Sequence, residues 1–94
     1  MDLSDQLALE IAQLGTRHVF GIPGSSSSLE IIDALLDRNV NFHTTYFEGS
    51  AAIMAGAIGK LSGLPGCAIC IKGPGLANMV PGLAVCALEH LPLV

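Results

Sequence analysis

The sequence contains little charge, and most of the charge it has is negative. Its 94 residues include four Lys and Arg against eight Asp and Glu, which gives a net charge of −4 at pH 7. Nucleic-acid binding needs a basic face, so the composition argues against that class of function. The three cysteines are an odd number and give no disulfide framework. They indicate a reducing compartment, and we expect a cytoplasmic protein.

Long hydrophobic segments are also missing. No run of apolar and glycine residues approaches the ~18 residues needed to span a bilayer, and the acidic start of the chain, MDLSDQ, lacks the apolar region of a signal peptide. Hydrophobic residues nevertheless make up 51% of the sequence, against 13% charged residues. A small domain does not need so much apolar surface for its own core. We therefore expect part of that surface to meet a partner or a further part of the chain.

The order of apolar and turn residues predicts helices and strands in alternation. The first helix is expected to follow Asp2 and to end before Gly15. In the second helix, the apolar face is expected to consist of Leu29, Ile32 and Leu36. Such an alternation with short connections predicts an α/β domain with a parallel sheet. The strands are predicted at residues 18–22, 41–46 and 66–71, and a fourth strand is predicted to begin at 91–94. The second, third and fourth helices are predicted at about 25–39, 48–61 and 74–88.

The chain ends within the predicted fourth strand. Val94 is its last residue, and no helix follows to cover that strand. An apolar strand exposed in this way favours association or aggregation. We therefore expect the 94 residues to be a fragment.

Glu48 is the most informative charged residue. It is the only Asp, Glu, Lys or Arg within residues 41–59, and it lies after a predicted strand, where ligands bind in parallel sheets. The helix dipole favours a carboxylate in a first turn by roughly 0.3–1 kcal/mol, which alone would account for its position. The helix behind it, however, is rich in Ala and Gly, which lets a backbone or a ligand approach closely. A carboxylate there would be partly desolvated, which suits a hydrogen-bonding or proton-shuttling role.

Two glycine-rich loops follow predicted strands, at residues 21–24 and 73–75. Ordinary turn chemistry accounts for both, because glycine supplies positive φ and proline fixes its own φ. Neither loop has the pattern of a Walker A loop or of a dinucleotide-binding loop, so they are weak as phosphate sites.

Cysteine and histidine spacing gives a misleading signal of zinc binding. The order Cys67, Cys70, Cys86 and His90 has the spacing of a four-ligand site. However, Cys67 and Cys70 lie in a continuous apolar run, where residues three apart point to opposite faces of a sheet. We expect buried thiols that act as small hydrophobic groups, and no metal site. The histidines at positions 18, 43 and 90 show no pairing at ligand or catalytic spacing.

Four stretches, in this order, resemble a known family. They are VFGIPG at residues 19–24, the glutamate after the second strand, AAIMAGAIGKLSGLPG at 51–66 and GPGLANMVPGLA at 73–84. They are similar to the N-terminal pyrimidine-binding (PYR) domain of thiamine diphosphate-dependent enzymes, in the group that contains acetolactate synthase and benzoylformate decarboxylase. The resemblance implies that residues 1–94 form part of such a domain. The implied thiamine diphosphate-binding fold is a three-layer α/β/α domain, incomplete here at its C-terminus.

The resemblance also assigns site residues. It implies that Glu48 is the catalytic glutamate, which hydrogen-bonds N1′ of the aminopyrimidine ring and so promotes removal of the proton from thiazolium C2. Ser25 matches a position near the substrate in some decarboxylases. The residues implied to bind the cofactor are Pro23, Gly24, Glu48, Gly73, Pro74, Gly75 and Asn78.

Departures from the family pattern leave the substrate open. Tyr46 and Phe47 stand where the family usually has a basic or histidine pair, and Lys72 replaces a common serine before the GPG loop. The family binds the diphosphate and its Mg²⁺ through a separate domain with a G-D-G motif, which is not present in these residues.

The resemblance therefore implies several partners. These are a diphosphate-binding domain of the same or another subunit, a second copy in a homodimer or homotetramer, and a small 2-oxo acid substrate. It implies that the 94 residues alone are not active. The expected function is that of a 2-oxo acid decarboxylase or an acetolactate synthase-like enzyme. Two alternatives remain open: a shortened, non-catalytic relative that acts as a binding or association module, and a flavodoxin-like nucleotide binder.

Overall fold

Helices and strands alternate along residues 2–94, which are the residues that this computed structural model describes. The predicted order is confirmed, and the helix bounds agree closely with the prediction. The first strand is one residue shorter than predicted, the second is two residues shorter and the third is three residues shorter. In chain order the elements are α1 Leu3–Gln13, β1 His18–Gly21, α2 Ser26–Leu36, β2 Asn41–Thr44, α3 Glu48–Ser62, β3 Cys67–Ile69 and α4 Pro74–Leu88.

Short local signals fix where the helices begin and end. The Asp2 carboxylate accepts a hydrogen bond from the backbone N–H of Asp5 at 2.9 Å and caps α1. Ser25 and Ser28 form a reciprocal capping box at the start of α2. Helix α3 ends at Gly63, whose φ of 76° places it in the left-handed conformation that glycine adopts without a steric penalty.

Loss of the capping box is expected to destabilise the fold. The Ser25→Ala substitution removes the oxygen that accepts from the Ser28 N–H, and such a loss costs about 1 kcal/mol. Urea denaturation followed by circular dichroism measures this cost. Ser26→Ala is the matched control, because Ser26 is exposed and lies one residue farther along the same helix. Equal stability of the two variants would contradict the capping role of Ser25.

The sheet is parallel, in the order β2-β1-β3. Beyond β3, Leu93 forms a parallel bridge with Gly66. The Val94 N–H donates to the Gly66 carbonyl at 2.8 Å, and the Ala68 N–H donates to the Val94 carbonyl at 3.0 Å. The last residues therefore begin to pair as a fourth strand, as predicted, and β3 lies between two neighbours. The strand order reverses between β1 and β3, which is where parallel sheets place their ligands.

Helices cover both faces of the sheet, so the predicted three-layer α/β/α architecture is confirmed. Helices α1 and α2 pack on one face, and α3 and α4 pack on the other. The core on the first face contains Ala8, Ile11, Val19, Ala34, Leu35, Val40 and Cys67. The core on the second face contains Ala51, Ala52 and Met79, with Phe20, Ala68, Cys70, Leu83 and Leu93 partly buried against them.

The predicted apolar face of α2 is wrong in part. Leu29 and Leu36 are 51% and 49% exposed, whereas Leu35 is fully buried and Ile32 is 8% exposed. After Leu29 the helix is apolar at every position except Glu30 and Asp33, so two neighbouring rows of apolar side chains both fit the 3.6-residue period. Packing against the sheet selects the row that contains Ile32 and Leu35.

Small residues let α3 and α4 approach each other closely. A Cβ atom built on Gly82 would lie 2.3 Å from the Gly49 carbonyl oxygen and 2.9 Å from the Ala52 side chain. The Cys86 thiol, also on α4, donates to the Ala52 carbonyl at 3.3 Å. The close backbone approach expected from the Ala and Gly residues of α3 is therefore confirmed. Among residues 2–94, none of the helices has the length and hydropathy that a membrane crossing requires.

Candidate functional site

The loops after the strands meet at one edge of the sheet, because all three strands are parallel. Ile71, just beyond β3, connects the first loop with the third. A Cβ built on Gly24 would lie 3.4 Å from two carbon atoms of the Ile71 side chain, and one built on Gly75 would lie 2.8 Å from Ile71 Cγ1. The structure therefore brings Gly24 and Gly75 together around Ile71.

Glu48 lies at this edge as the first residue of α3. Its side chain is half-buried, as expected for a partly desolvated carboxylate. Its Oε2 atom is 3.6 Å from the position of a Cβ on Gly75. The carboxylate also acts on Cys70 at the end of β3: burial raises the pKa of the Cys70 thiol, and the negative charge of Glu48 raises it further. Glu48, Cys70 and Gly75 thus form one cluster.

The GPG loop leaves open space next to this cluster. Gly73 has a φ of 73° and a ψ of −121°, a conformation that favours glycine, and no atom lies within 4 Å of its Cβ position. Pro74 is exposed and occupies the first turn of α4, where its fixed φ suits a helix start. Gly75 is buried, and a side chain there would collide with Ile71.

The remaining predicted site residues lie at the margin of the cluster. Pro23 is half-buried and precedes the exposed Gly24. Asn78 is exposed on α4, and its backbone carbonyl oxygen lies 3.2 Å from the position of a Cβ on Gly49. The structure therefore connects Asn78 to the start of α3 through its backbone.

An open cavity of about 300 Å³ lies between the start of α2 and the end of β3. Its lining combines hydroxyl groups, one ammonium group and apolar side chains. Ser25 lines this cavity and its hydroxyl caps α2, and its position near a substrate stays a prediction. The lining residues are Ser25, Ser26, Ser27, Ser28, Ile31, Ile69, Cys70, Ile71 and Lys72.

Two residues of the site were not assigned to it from the sequence. Cys70 was interpreted as a buried hydrophobic group, but it is half-buried, and the negative charge of Glu48 helps to raise the pKa of its thiol. Ile71 was not assigned a role, yet it contacts both glycine loops. Their position directly between an apolar strand and a GPG turn was the signal that would have identified both residues.

The other two cysteines, Cys67 and Cys86, lie on opposite sides of the sheet. Cys67 belongs to the core beneath α1 and α2, and burial raises the pKa of its thiol to about 11. Cys86 packs between α3 and α4. Both are buried, as predicted. Within residues 2–94, no three His, Cys, Asp or Glu side chains gather at metal-binding distance.

Two of the histidines, which show no pairing at ligand or catalytic spacing in the sequence, lie together in the structure. His18 Nδ1 and His43 Nε2 are 2.9 Å apart, and the centroids of the two rings are 5.1 Å apart. The register of β1 and β2 places His18 opposite Asn41 and Phe20 opposite His43. The two histidines are therefore diagonal neighbours on one face of the sheet, a relation that depends on the register and not on sequence spacing.

Comparisons with known proteins identify similar sequences along almost the whole chain. A family model described as "Thiamine pyrophosphate enzyme, N-terminal TPP binding domain" matches residues 1–94. The chain is 35% identical over 91 residues to the catabolic acetolactate synthase of Raoultella terrigena, covering 97% of the chain and 16% of that protein. It is 38% identical over 84 residues to the acetolactate synthase of Bacillus subtilis, covering 89% of the chain and 15% of that protein.

A relative named for a different reaction is similar to a comparable degree. The chain is 33% identical over 90 residues to the 2-succinyl-5-enolpyruvyl-6-hydroxy-3-cyclohexene-1-carboxylate synthase of Shewanella frigidimarina, covering 95% of the chain and 16% of that protein. The chain thus spans about a sixth of the length of these relatives.

Proposed function

Because this chain belongs to the thiamine pyrophosphate enzyme family as an N-terminal TPP-binding domain, we propose that it supplies the pyrimidine-binding side of a thiamine diphosphate site. The enzyme acts on a 2-oxo acid, as an acetolactate synthase-like synthase or as a decarboxylase. The observation that carries this proposal is the position of the Glu48 carboxylate beside Gly75 and Ile71, at the edge of the sheet where the strand order reverses.

The residues at this edge fit an aminopyrimidine ring. Such a ring needs an acceptor or proton-holding group at a ring nitrogen and apolar contacts for its flat faces. Glu48 offers the carboxylate, and the Ile71 side chain offers an apolar surface. The absence of a side chain at Gly75 keeps the space beside Glu48 free, and the space over Gly73 is open.

Thiamine diphosphate, when bound, supplies the carbanion-stabilising chemistry that a 2-oxo acid reaction requires. Within this chain, Glu48 holds a proton between its carboxylate and the ring nitrogen, and so sets the protonation of the ring. Cys70 stays neutral, because burial and the Glu48 charge raise the pKa of its thiol above its ordinary value.

Other domains complete the proposed enzyme. We propose that a diphosphate-binding domain, of the same or another subunit, holds the diphosphate and Mg²⁺, in a homodimer or homotetramer. The relatives' greater length supports this, because the chain spans 16% of the first of them. The surfaces of α3 and α4 also support it, because eight apolar side chains on these helices are each at least one third exposed: Ile53, Met54, Ile58, Leu61, Leu76, Val80, Val85 and Leu88.

Cofactor dependence tests the proposal. The protein at its natural length, freed of cofactor, is given pyruvate and Mg²⁺, and CO₂ release is measured with and without thiamine diphosphate. We expect turnover only when thiamine diphosphate is present, and saturable binding of that cofactor by calorimetry. If thiamine diphosphate neither binds nor restores turnover, the enzymatic function is wrong and the association module is favoured.

A further inference from the structure

Among residues 2–94, Lys72 is the only charged residue that lines the cavity between the start of α2 and the end of β3. The cavity measures about 300 Å³, which is at the lower end of the range for ligand pockets, about 300–1,000 Å³. The whole chain has eight Asp and Glu against four Lys and Arg. The cavity is therefore locally positive in a chain that is negative overall, and it favours an anionic group.

The cavity adjoins the cluster formed by Glu48, Cys70 and Gly75. Cys70 and Ile71 line the cavity, and both also belong to the surroundings of Glu48. A Cβ on Gly75 would lie 2.8 Å from Ile71 Cγ1, and the Glu48 charge acts on the Cys70 thiol. A substrate held at the cluster can therefore extend into the cavity toward Lys72.

The lining suits an aliphatic chain that ends in a carboxylate. The side chains of Ile31, Ile69 and Ile71 offer apolar contacts for methylene groups. Ser26 and Ser27 are exposed at the start of α2, and their hydroxyl groups can donate hydrogen bonds to an anion. The Lys72 ammonium supplies the opposite charge and three further N–H donors. The positive end of the α2 dipole adds to its field.

Resting on the proposed function, we propose that Lys72 is a specificity-determining residue that selects 2-oxo acids with a second carboxylate at the far end of the chain. Lys72 forms an ion pair with that far carboxylate. The methylene groups between the carboxylate and the carbonyl lie along the apolar lining of the cavity, and the carbonyl lies at the cluster that contains Glu48.

The course of a decarboxylation explains why the far carboxylate is the one bound. The carboxylate beside the carbonyl leaves as CO₂, and its electron pair stays on the former carbonyl carbon. A cation that binds this group stabilises the substrate more than the transition state, and so it slows the reaction. The far carboxylate keeps its charge throughout. Binding it lowers KM without opposing the loss of CO₂.

Two acids of the same chain length test the selection. The protein at its natural length, with thiamine diphosphate and Mg²⁺, is given 2-oxoglutarate or 2-oxopentanoate, and CO₂ release is measured. We expect kcat/KM to be about 10–100-fold higher for 2-oxoglutarate, the range that a hydrogen bond between charged groups contributes. Added KCl should raise the KM for 2-oxoglutarate and leave that for 2-oxopentanoate nearly unchanged, because salt screens an exposed ion pair.

Substitutions assign the preference to Lys72. Lys72→Met should raise the KM for 2-oxoglutarate by about 10–100-fold with little change in kcat, and should change kcat/KM for 2-oxopentanoate by about 2-fold at most, because its tail carries no charge. Lys72→Arg keeps the positive charge and should keep most of the preference. Lys60→Met is the matched control, because Lys60 is exposed in the last turn of α3 and does not line the cavity. It should keep the kinetics of the unaltered protein.

The outcomes separate this inference from the proposed function. Thiamine diphosphate-dependent turnover without a preference for 2-oxoglutarate would overturn the role of Lys72 alone. An equal effect of Lys72→Met on both acids, in a variant that circular dichroism shows to be folded, would also overturn it. Absence of thiamine diphosphate-dependent turnover with either acid or with pyruvate would contradict the proposed function and this inference together.

Discussion

Replacing Glu48 with glutamine is expected to lower kcat for the 2-oxo acid reaction by about 10²–10⁴-fold, the range that a positioned proton-transfer group contributes. Glutamine has almost the same size and shape, so contacts with Gly75 and Ile71 are kept. It carries no negative charge, however, and cannot hold a proton at the pyrimidine nitrogen. Steady-state kinetics with saturating thiamine diphosphate and Mg²⁺ measure the effect.

Cofactor affinity separates loss of chemistry from loss of binding. We expect the affinity of the Glu48→Gln variant for thiamine diphosphate to fall by about 10-fold at most, because one hydrogen bond contributes only about 1 kcal/mol net. Glu30→Gln is the control: Glu30 is an exposed carboxylate on α2, away from the cluster. It should keep the turnover of the unaltered protein. If Glu48→Gln with bound cofactor also kept most of its turnover, the proposed role of Glu48 would be wrong.

The Gly66→Ala substitution is expected to have the largest effect on stability. A Cβ on Gly66 would lie 1.7 Å from the Ala55 carbonyl oxygen and 2.4 Å from the Ala55 carbonyl carbon. These are backbone atoms of α3, so no side-chain rotation relieves the overlap, and α3 must move away from the sheet. Overpacking of this kind costs about 3 kcal/mol, a large part of the stability of a small domain. Urea denaturation followed by circular dichroism measures the loss.

Gly24→Ala is the matched control for that substitution. A Cβ on Gly24 would meet only the Ile71 side chain, at an ordinary contact distance of 3.4 Å. The change in its free energy of unfolding should stay within about 0.5 kcal/mol, as is usual at exposed positions. Comparable stability of the Gly66→Ala and Gly24→Ala variants would contradict the close packing of α3 on the sheet.

Local signals in the sequence made the helix ends predictable, whereas side-chain contacts between strands could not be predicted from the sequence. The cap at Ser25 and the left-handed Gly63 fix helix ends through contacts within a few residues, which the sequence order displays. The His18–His43 contact depends on the register between two strands, and one residue of slip would move a side chain to the opposite face. The register comes from packing of the whole domain, so sequence spacing did not reveal the pair.

The same distinction applies to the candidate site. The position of Glu48 at the carboxyl edge of the sheet follows from a general property of parallel sheets, and the structure places it beside Gly75 as that property predicts. The roles of Cys70 and Ile71 depend on where the strand stops. Strand β3 ends at Ile69, earlier than predicted, so the next two residues lie outside the strand. Ile71 then lies against Gly24 and Gly75, while Cys70 still packs against the core beneath α3 and α4.

The most direct test of the account is a crystal structure of the protein at its natural length with thiamine diphosphate and Mg²⁺ bound. We expect a carboxylate oxygen of Glu48 at hydrogen-bond distance, about 2.6–3.2 Å, from a nitrogen of the pyrimidine ring, with the ring against Gly75 and Ile71. A pyrimidine ring bound elsewhere, or a Glu48 carboxylate that contacts only solvent in that complex, would contradict it.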